Sequence, residues 1–205
     1  MAVFRPNKKK EGTSTSSYLG FMEAGIVDFS DRSDEFEWAD VFIDVTFNTP
    51  NSQYPVIYNL KGTYNRDADG KIESCPMLNR IYYLLDAIGC DAGPNVDGIW
   101  EDQNGNKIPK VDTFLNNNFL PANALTDETY PYFIYVYKEW NKDKQKAYTR
   151  VSPKIVKNDT RGHTDLKSYI AFLRQKGLLK EYKEDSQETS TLTPKVSSDT
   201  QPSTF

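Results

Sequence analysis

The sequence is poor in the residues that hold metals and covalent staples: Cys75 and Cys90 are its only cysteines and His163 its only histidine. Two cysteines build neither a disulfide framework nor a thiolate zinc site, so no metal or cofactor is expected. Long apolar runs are missing as well. Nothing nears the ~20 consecutive apolar residues that a bilayer-spanning helix requires, which predicts a soluble chain with no membrane partner. The basic cluster Arg5, Lys8, Lys9 and Lys10 is followed by Gly, Ser and Thr rather than an apolar leader. An intracellular location is the expectation.

What the chain does have is charge of both signs, kept apart. The formal net charge is -4 over 205 residues, which alone speaks against a nucleic-acid binder. Residues 23–44, however, hold eight acids against Arg32 alone, while residues 138–161 hold eight bases against Glu139, Asp143 and Asp159. The second stretch is locally cationic, and a whole-chain sum hides it.

Read for organisation, the chain is one domain over 18–183 between two polar ends. Residues 1–17 form a basic, Ser/Thr-rich arm, and 184–205 a mildly acidic tail in which only Leu192, Val196 and Phe205 are strongly apolar. Neither end has enough apolar surface to offset the cost of ordering its backbone, so both are expected to be flexible.

Within the domain, residues 18–29 read as a first strand with an irregularity at Gly25. In 41–47, Val41, Ile43, Val45 and Phe47 share one face of a second strand. A third runs over 54–64 and closes at the turn ending in Gly70. Met77, Leu78, Ile81, Tyr82, Leu84, Leu85 and Ile88 then recur at helical spacing between Pro76 and Gly89. Residues 90–131 read as an insertion with a small hairpin at Asn104-Gly105. Two further runs, 132–140 and 147–156, flank a Lys-rich turn as a long hairpin. Leu166, Tyr169, Ile170, Phe172 and Leu173 give a last helix, started by Thr164 or Asp165 and stopped by Gly177. The fold class is therefore mainly β with α. Three strands, a helix and a closing hairpin are the element order of a five-stranded OB-fold-like antiparallel barrel, with the helix between strands 3 and 4.

The hairpin carries the chemistry. Tyr132, Phe133, Tyr135, Tyr137, Trp140 and Tyr148 are interleaved there with Lys138, Lys142, Lys144, Lys146 and Arg150. Rings stack on bases for ~1–3 kcal/mol each while cations take the phosphates, which is the requirement for gripping an unpaired strand. By strand parity, Ile134 and Val136 share a face with Tyr132 and Trp140, and Phe133, Tyr135 and Tyr137 form the other; at least one set must be core. Tyr58, Lys61, Tyr64 and Arg66, on or just after the third strand, are further candidates.

These segments resemble the single-stranded DNA-binding proteins of tailed bacteriophages: residues 18–47, the helix ending at Gly89, the hairpin with Lys146-Ala-Tyr-Thr-Arg-Val151, and a tail ending in Phe. The resemblance implies an OB-fold groove using Tyr135, Tyr137, Trp140, Tyr148, Lys144, Lys146 and Arg150. It also implies a tail that recruits replication or recombination proteins through Phe205, and the host cytoplasm as location. The mild acidity of the tail and the lack of a Cys/His module depart from some members, and the latter excludes a zinc-dependent subtype. A virion or assembly protein with aromatic β-surfaces is the alternative.

Enzyme motifs fail on inspection. Asn65-Arg-Asp-Ala-Asp-Gly70 begins like a calcium loop, but its twelfth position is Pro76 where a bidentate Glu is needed. The acids of 28–44 lack the spacing and neighbouring base of a two-metal nuclease. His163 has no Cys or paired base nearby, and no glycine run cradles phosphate.

Overall fold

A computed structural model describes residues 19–182, apart from 51 and 53. The arm 1–17 and the tail 184–205, Phe205 included, lie outside the described residues. In chain order come β1 (Gly20–Asp31), a short 3-10 helix (Ser33–Glu35), β2 (Val41–Asn48), β3 (Val56–Gly62), α1 (Pro76–Ile88), β4 (Gly93–Pro94) and β5 (Trp100–Glu101). They are followed by α2 (Val111–Phe119), β6 (Tyr132–Asn141), β7 (Lys146–Val151), β8 (Val156–Lys157) and α3 (Thr160–Gln175).

One antiparallel sheet of six strands organises the domain, in the order β3-β2-β1-β6-β7, with β8 also paired to β6. The twelve-residue β1 is its spine. From Gly20 to Ala24 it pairs with β6, and from Gly25 to Asp31 with β2, with a register shift between Ile26 and Asp28. The predicted irregularity at Gly25 is thus the point where the strand changes partners. Its cause is steric: a Cβ there would lie 2.7 Å from the Thr129 carbonyl oxygen, so only glycine lets the chain entering β6 cross so closely.

The sheet is not closed. β3 and β7 face each other with Cα atoms within 8 Å, yet no ladder joins them among the described residues. Side chains fill that seam. Arg80 of α1 donates to the Asn59 carbonyl (3.0 Å), the Lys61 carbonyl (3.3 Å) and the Tyr58 hydroxyl (3.3 Å), taking up carbonyls on β3 that a closing strand would otherwise use. The Tyr58 hydroxyl in turn donates to the Pro153 carbonyl at 3.2 Å.

The second half of β1 is left with a bare edge once β6 departs, and the 90–131 insertion covers it. Asn116 of α2 accepts from the Phe29 N–H (2.9 Å) and donates to the Phe29 carbonyl (2.8 Å), imitating one rung of a ladder. That edge protection gives the insertion a structural purpose. The turn at Asn104-Gly105 is present, closing a bridge between Glu101 and Lys107.

The main core lies inside the curved sheet, where Phe29, Ile43, Val45, Phe47, Leu60 and Ile134 meet Ile81, Leu84 and Leu85 of α1. Gly89, at φ 72°, ends α1 in the left-handed conformation that favours glycine. A second, smaller core forms on the other face of β6, where Leu166, Ile170 and Leu173 of α3 cover Phe133 and Tyr135. α3 begins earlier than its apolar spacing predicts, because the Asp159 carboxylate accepts the Gly162 N–H at 2.7 Å and caps the added turn.

Tyr64 lies at the edge of the main core with a buried hydroxyl that has no hydrogen-bond partner among the described residues. Burial first, then the charge of Asp40, pushes its ionisation up. A buried hydroxyl without a partner is a net cost, so Tyr64→Phe is expected to leave stability unchanged or raise it by about 1 kcal/mol in a denaturant titration. A loss of comparable size would show that the hydroxyl has a partner.

Candidate nucleic-acid interface

The register of β6 with β7 divides the predicted site residues between two faces. Tyr137 opposes Arg150, Glu139 opposes Tyr148 and Asn141 opposes Lys146 on one face, while Lys138 opposes Thr149 and Trp140 opposes Ala147 on the other. On the first face Tyr148 lies between two cations. The Lys146 ammonium stands 5.7 Å from its ring centroid and the Arg150 guanidinium 5.6 Å. Lys144 is exposed at the tip, where the Asn141 side chain accepts its N–H at 2.9 Å and shapes the turn. Glu139 accepts from Arg150 at 3.2 Å and offsets part of the cation's charge. Tyr137 is half-buried beside them, its hydroxyl ionisation pushed up by burial and by Glu139.

On the second face Trp140 is 38% exposed, and its ring lies stacked on Tyr182 with centroids 5.0 Å apart. The Tyr182 N–H donates to the Lys138 carbonyl at 2.7 Å. Tyr182 belongs to the segment after α3, which doubles back along β6.

Three predicted rings are core and not surface. Tyr58 is 2% exposed and spends its hydroxyl on the β3–β7 seam. Tyr64 is buried under the loop that Arg66 braces. Tyr135 is buried under α3, its hydroxyl bonded to Glu181 and Arg174. None of the three offers a face to a base. Arg66 is committed to Asp40 (3.1 Å) and to the carbonyls of Gly70 and Asp97, so it closes a loop. Lys61 stands over the Phe42 ring at 5.2 Å, apart from the hairpin set.

That ring belongs to a cluster sequence reasoning passed over. Phe36 and Phe42 stack with centroids 4.4 Å apart, Trp38 packs edge-on to Phe42 at 6.1 Å, and Arg32 covers both phenyl rings. Trp38 is 55% exposed. The signal was the Phe36-Glu-Trp38 spacing, obscured by the acidic run around it. Those acids have structural work: Arg32 pairs with Glu35 at 2.6 Å and with Asp44 at 3.3 Å. The strand directions place this acidic corner at the Asp31 end of β1 and the basic hairpin tip beyond its Gly20 end, so the separation of charge in sequence becomes a separation in space.

Tyrosines also meet where α1, α3 and the segment before β8 converge. Tyr83 and Tyr169 pack edge to face at 5.7 Å, and Lys154 stands over both rings while pairing with Asp165 at 2.6 Å. Burial, then the neighbouring tyrosines, pushes the Tyr169 hydroxyl up to about 12; burial, then Glu181, does the same for Tyr135. Both folded-state values lie above the ordinary 10.0, so the native state holds these protons more tightly than the unfolded chain. The resulting stabilisation is complete below pH 10 and is lost as pH rises from 10 toward about 12. Denaturant midpoints across that window are expected to fall, in step with the rise of tyrosinate absorbance; a flat midpoint would contradict the burial of these hydroxyls.

Among the described residues no group of three or more His, Cys, Asp and Glu side chains is placed to hold a metal ion. Asp67 instead accepts the Asp69 and Lys71 N–H groups within its own turn. His163 stacks on Phe133 at 3.8 Å and meets the Asn158 side chain at 2.6 Å, which fixes the start of α3. No helix among the described residues is long and apolar enough to cross a membrane. Compared with known proteins, the chain matches no family model, no curated protein and no solved structure.

Proposed function

We propose that the protein binds single-stranded DNA through its β6–β7 hairpin, in phage DNA replication or recombination, without an enzymatic step. The observation that carries this reading is Tyr148 held between the Lys146 and Arg150 cations on the outer face of the hairpin. A base that takes the place of one of these cations over the ring stacks there, and the displaced cation meets the flanking phosphate, with Lys144 following at the tip. The strand order β3-β2-β1-β6-β7 and the place of α1 between β3 and the hairpin support an OB-like architecture, whose loops flank a strand-binding surface. Phe205 would serve replication or recombination partners. Binding unpaired DNA more tightly than duplex removes hairpins by mass action alone.

A second reading, a virion or assembly protein, draws support from Trp38, Tyr54 and Ile57, each about half exposed or more. Size-exclusion chromatography with and without oligo-dT separates the two. The DNA reading predicts a shift in elution only with oligonucleotide, together with quenching of tryptophan emission. Assembly that occurs without DNA and ignores it would favour the structural reading.

A further inference from the structure

The segment that follows α3 holds two neighbouring side chains in positions that a nucleotide also fits. The Glu181 carboxylate is gripped by Arg174, with Nε at 2.8 Å and Nη2 at 2.9 Å, and it also accepts from the Tyr135 hydroxyl. A forked guanidinium recognises a carboxylate and a phosphate by the same geometry. The next residue, Tyr182, lays its ring on Trp140 with an interplanar angle of 28°. That is the arrangement a base adopts on an indole. An anion and a flat ring in succession are what one nucleotide of a single strand presents. Beside them opens a pocket of about 400 Å³ whose wall includes Tyr135, Lys138 and Arg174 together with Glu181 and Tyr182 themselves. Its size lies within the range of small-molecule sites.

We infer that Glu181 and Tyr182 stand where one nucleotide of the bound strand goes, its phosphate taking the place of the Glu181 carboxylate on Arg174 and its base the place of the Tyr182 ring on Trp140. The inference rests on the single-stranded DNA reading above and adds a residue to it, since Arg174 lies outside the hairpin. Arg174 is about half exposed, so its ion pair with Glu181 is partly screened; the Tyr135 hydroxyl, the ring stack on Trp140 and the backbone bond to Lys138 are further contacts of the strap. The electrostatics also agree, because the strap removes a carboxylate from the cations when it leaves.

The test compares the full chain with its Glu181→Gln/Tyr182→Ala variant in titrations against fluorescent oligo-dT, with thermal melts establishing that both are folded. The double variant is expected to bind about 2- to 10-fold more tightly, the size of one ring stack released. In that background Arg174→Gln is expected to weaken binding and to lower the salt slope by about 0.7, one phosphate contact. Should the double variant fail to fold, the unaltered protein gives the same answer: tryptic cleavage after Lys180 is expected to accelerate when oligo-dT is added. A folded double variant that binds no more tightly than the parent, or cleavage unchanged or slowed by DNA, overturns the inference. If the parent binds oligo-dT in a salt-dependent way and the double variant does not improve on it, only the strap falls. If neither binds, the DNA reading falls with it.

Discussion

Gly162→Ala is expected to destabilise the domain by about 3 kcal/mol, and the bulkier Gly162→Val by more. A Cβ at position 162 would stand 2.1 Å from the Lys157 carbonyl oxygen and 3.2 Å from a methyl group of Val156. The first obstacle is backbone, so no rotamer change relieves it; α3 must lift from β8. The sign is informative. Glycine within a helix ordinarily costs about 1 kcal/mol relative to alanine, and propensity alone therefore predicts stabilisation. Close approach reverses that sign here, because the first turn of α3 is pulled onto β8 by the Asp159 cap. For a domain of this size the loss corresponds to a fall in melting temperature of about 6 to 12 °C. A thermal melt that is unchanged or raised would mean that α3 does not sit against Lys157. Loss of α3 would also uncover Phe133 and Tyr135, so the variant is expected to bind an apolar dye before it unfolds fully.

Tyr148→Ala is expected to weaken oligo-dT binding by about 5- to 150-fold, the range of a single base stack. Arg150→Gln is expected to weaken binding to every sequence alike and to lower the salt slope by about 0.7. Glu139→Gln should act in the opposite direction, because Glu139 is the carboxylate that now offsets Arg150 at 3.2 Å. Opposite signs from two residues that touch each other are hard to produce by general damage to the fold. Tyr58→Phe supplies the contrast. It removes a hydroxyl from the β3–β7 seam, so it should lower stability while leaving the affinity of the folded protein unchanged. If Tyr148→Ala binds as tightly as the parent in equilibrium titrations, the hairpin is not where the strand lies.

The contrast between Tyr58 and Tyr148 also shows how far the sequence can be read. Both are tyrosines in strands, and the same-face neighbours two positions away separate them: Val56 and Leu60 for Tyr58, Lys146 and Arg150 for Tyr148. Tyr58 is core because its side of β3 faces α1 and Arg80, a long-range fact. Tyr135 is similar: parity separates it from Ile134, but only the docking of α3 buries the second face. Periodicity was sufficient for β2 and α1, whose apolar spacing and end residues agree. It was insufficient for α2, where Asn116, Asn117 and Asn118 argue for a loop and burial of Val111 and Leu115 decides for a helix. The start of α3 was hidden because Asp159 and Gly162 look like turn residues until the cap and the close approach are seen together. The open seam was beyond reach, since a single arginine from α1 occupies the edge that a barrel would close.

The most direct test of the account is a titration of the full chain with oligo-dT across a salt series. With Lys144, Lys146 and Arg150 meeting phosphates, the logarithm of affinity is expected to fall against the logarithm of salt with a slope of about -2. Between about 50 and 200 mM salt that amounts to roughly 20-fold weaker binding. Duplex DNA of the same length should bind far more weakly at every point. A slope near zero, or no quenching of tryptophan emission at micromolar protein, would contradict the claim that this hairpin holds an unpaired strand.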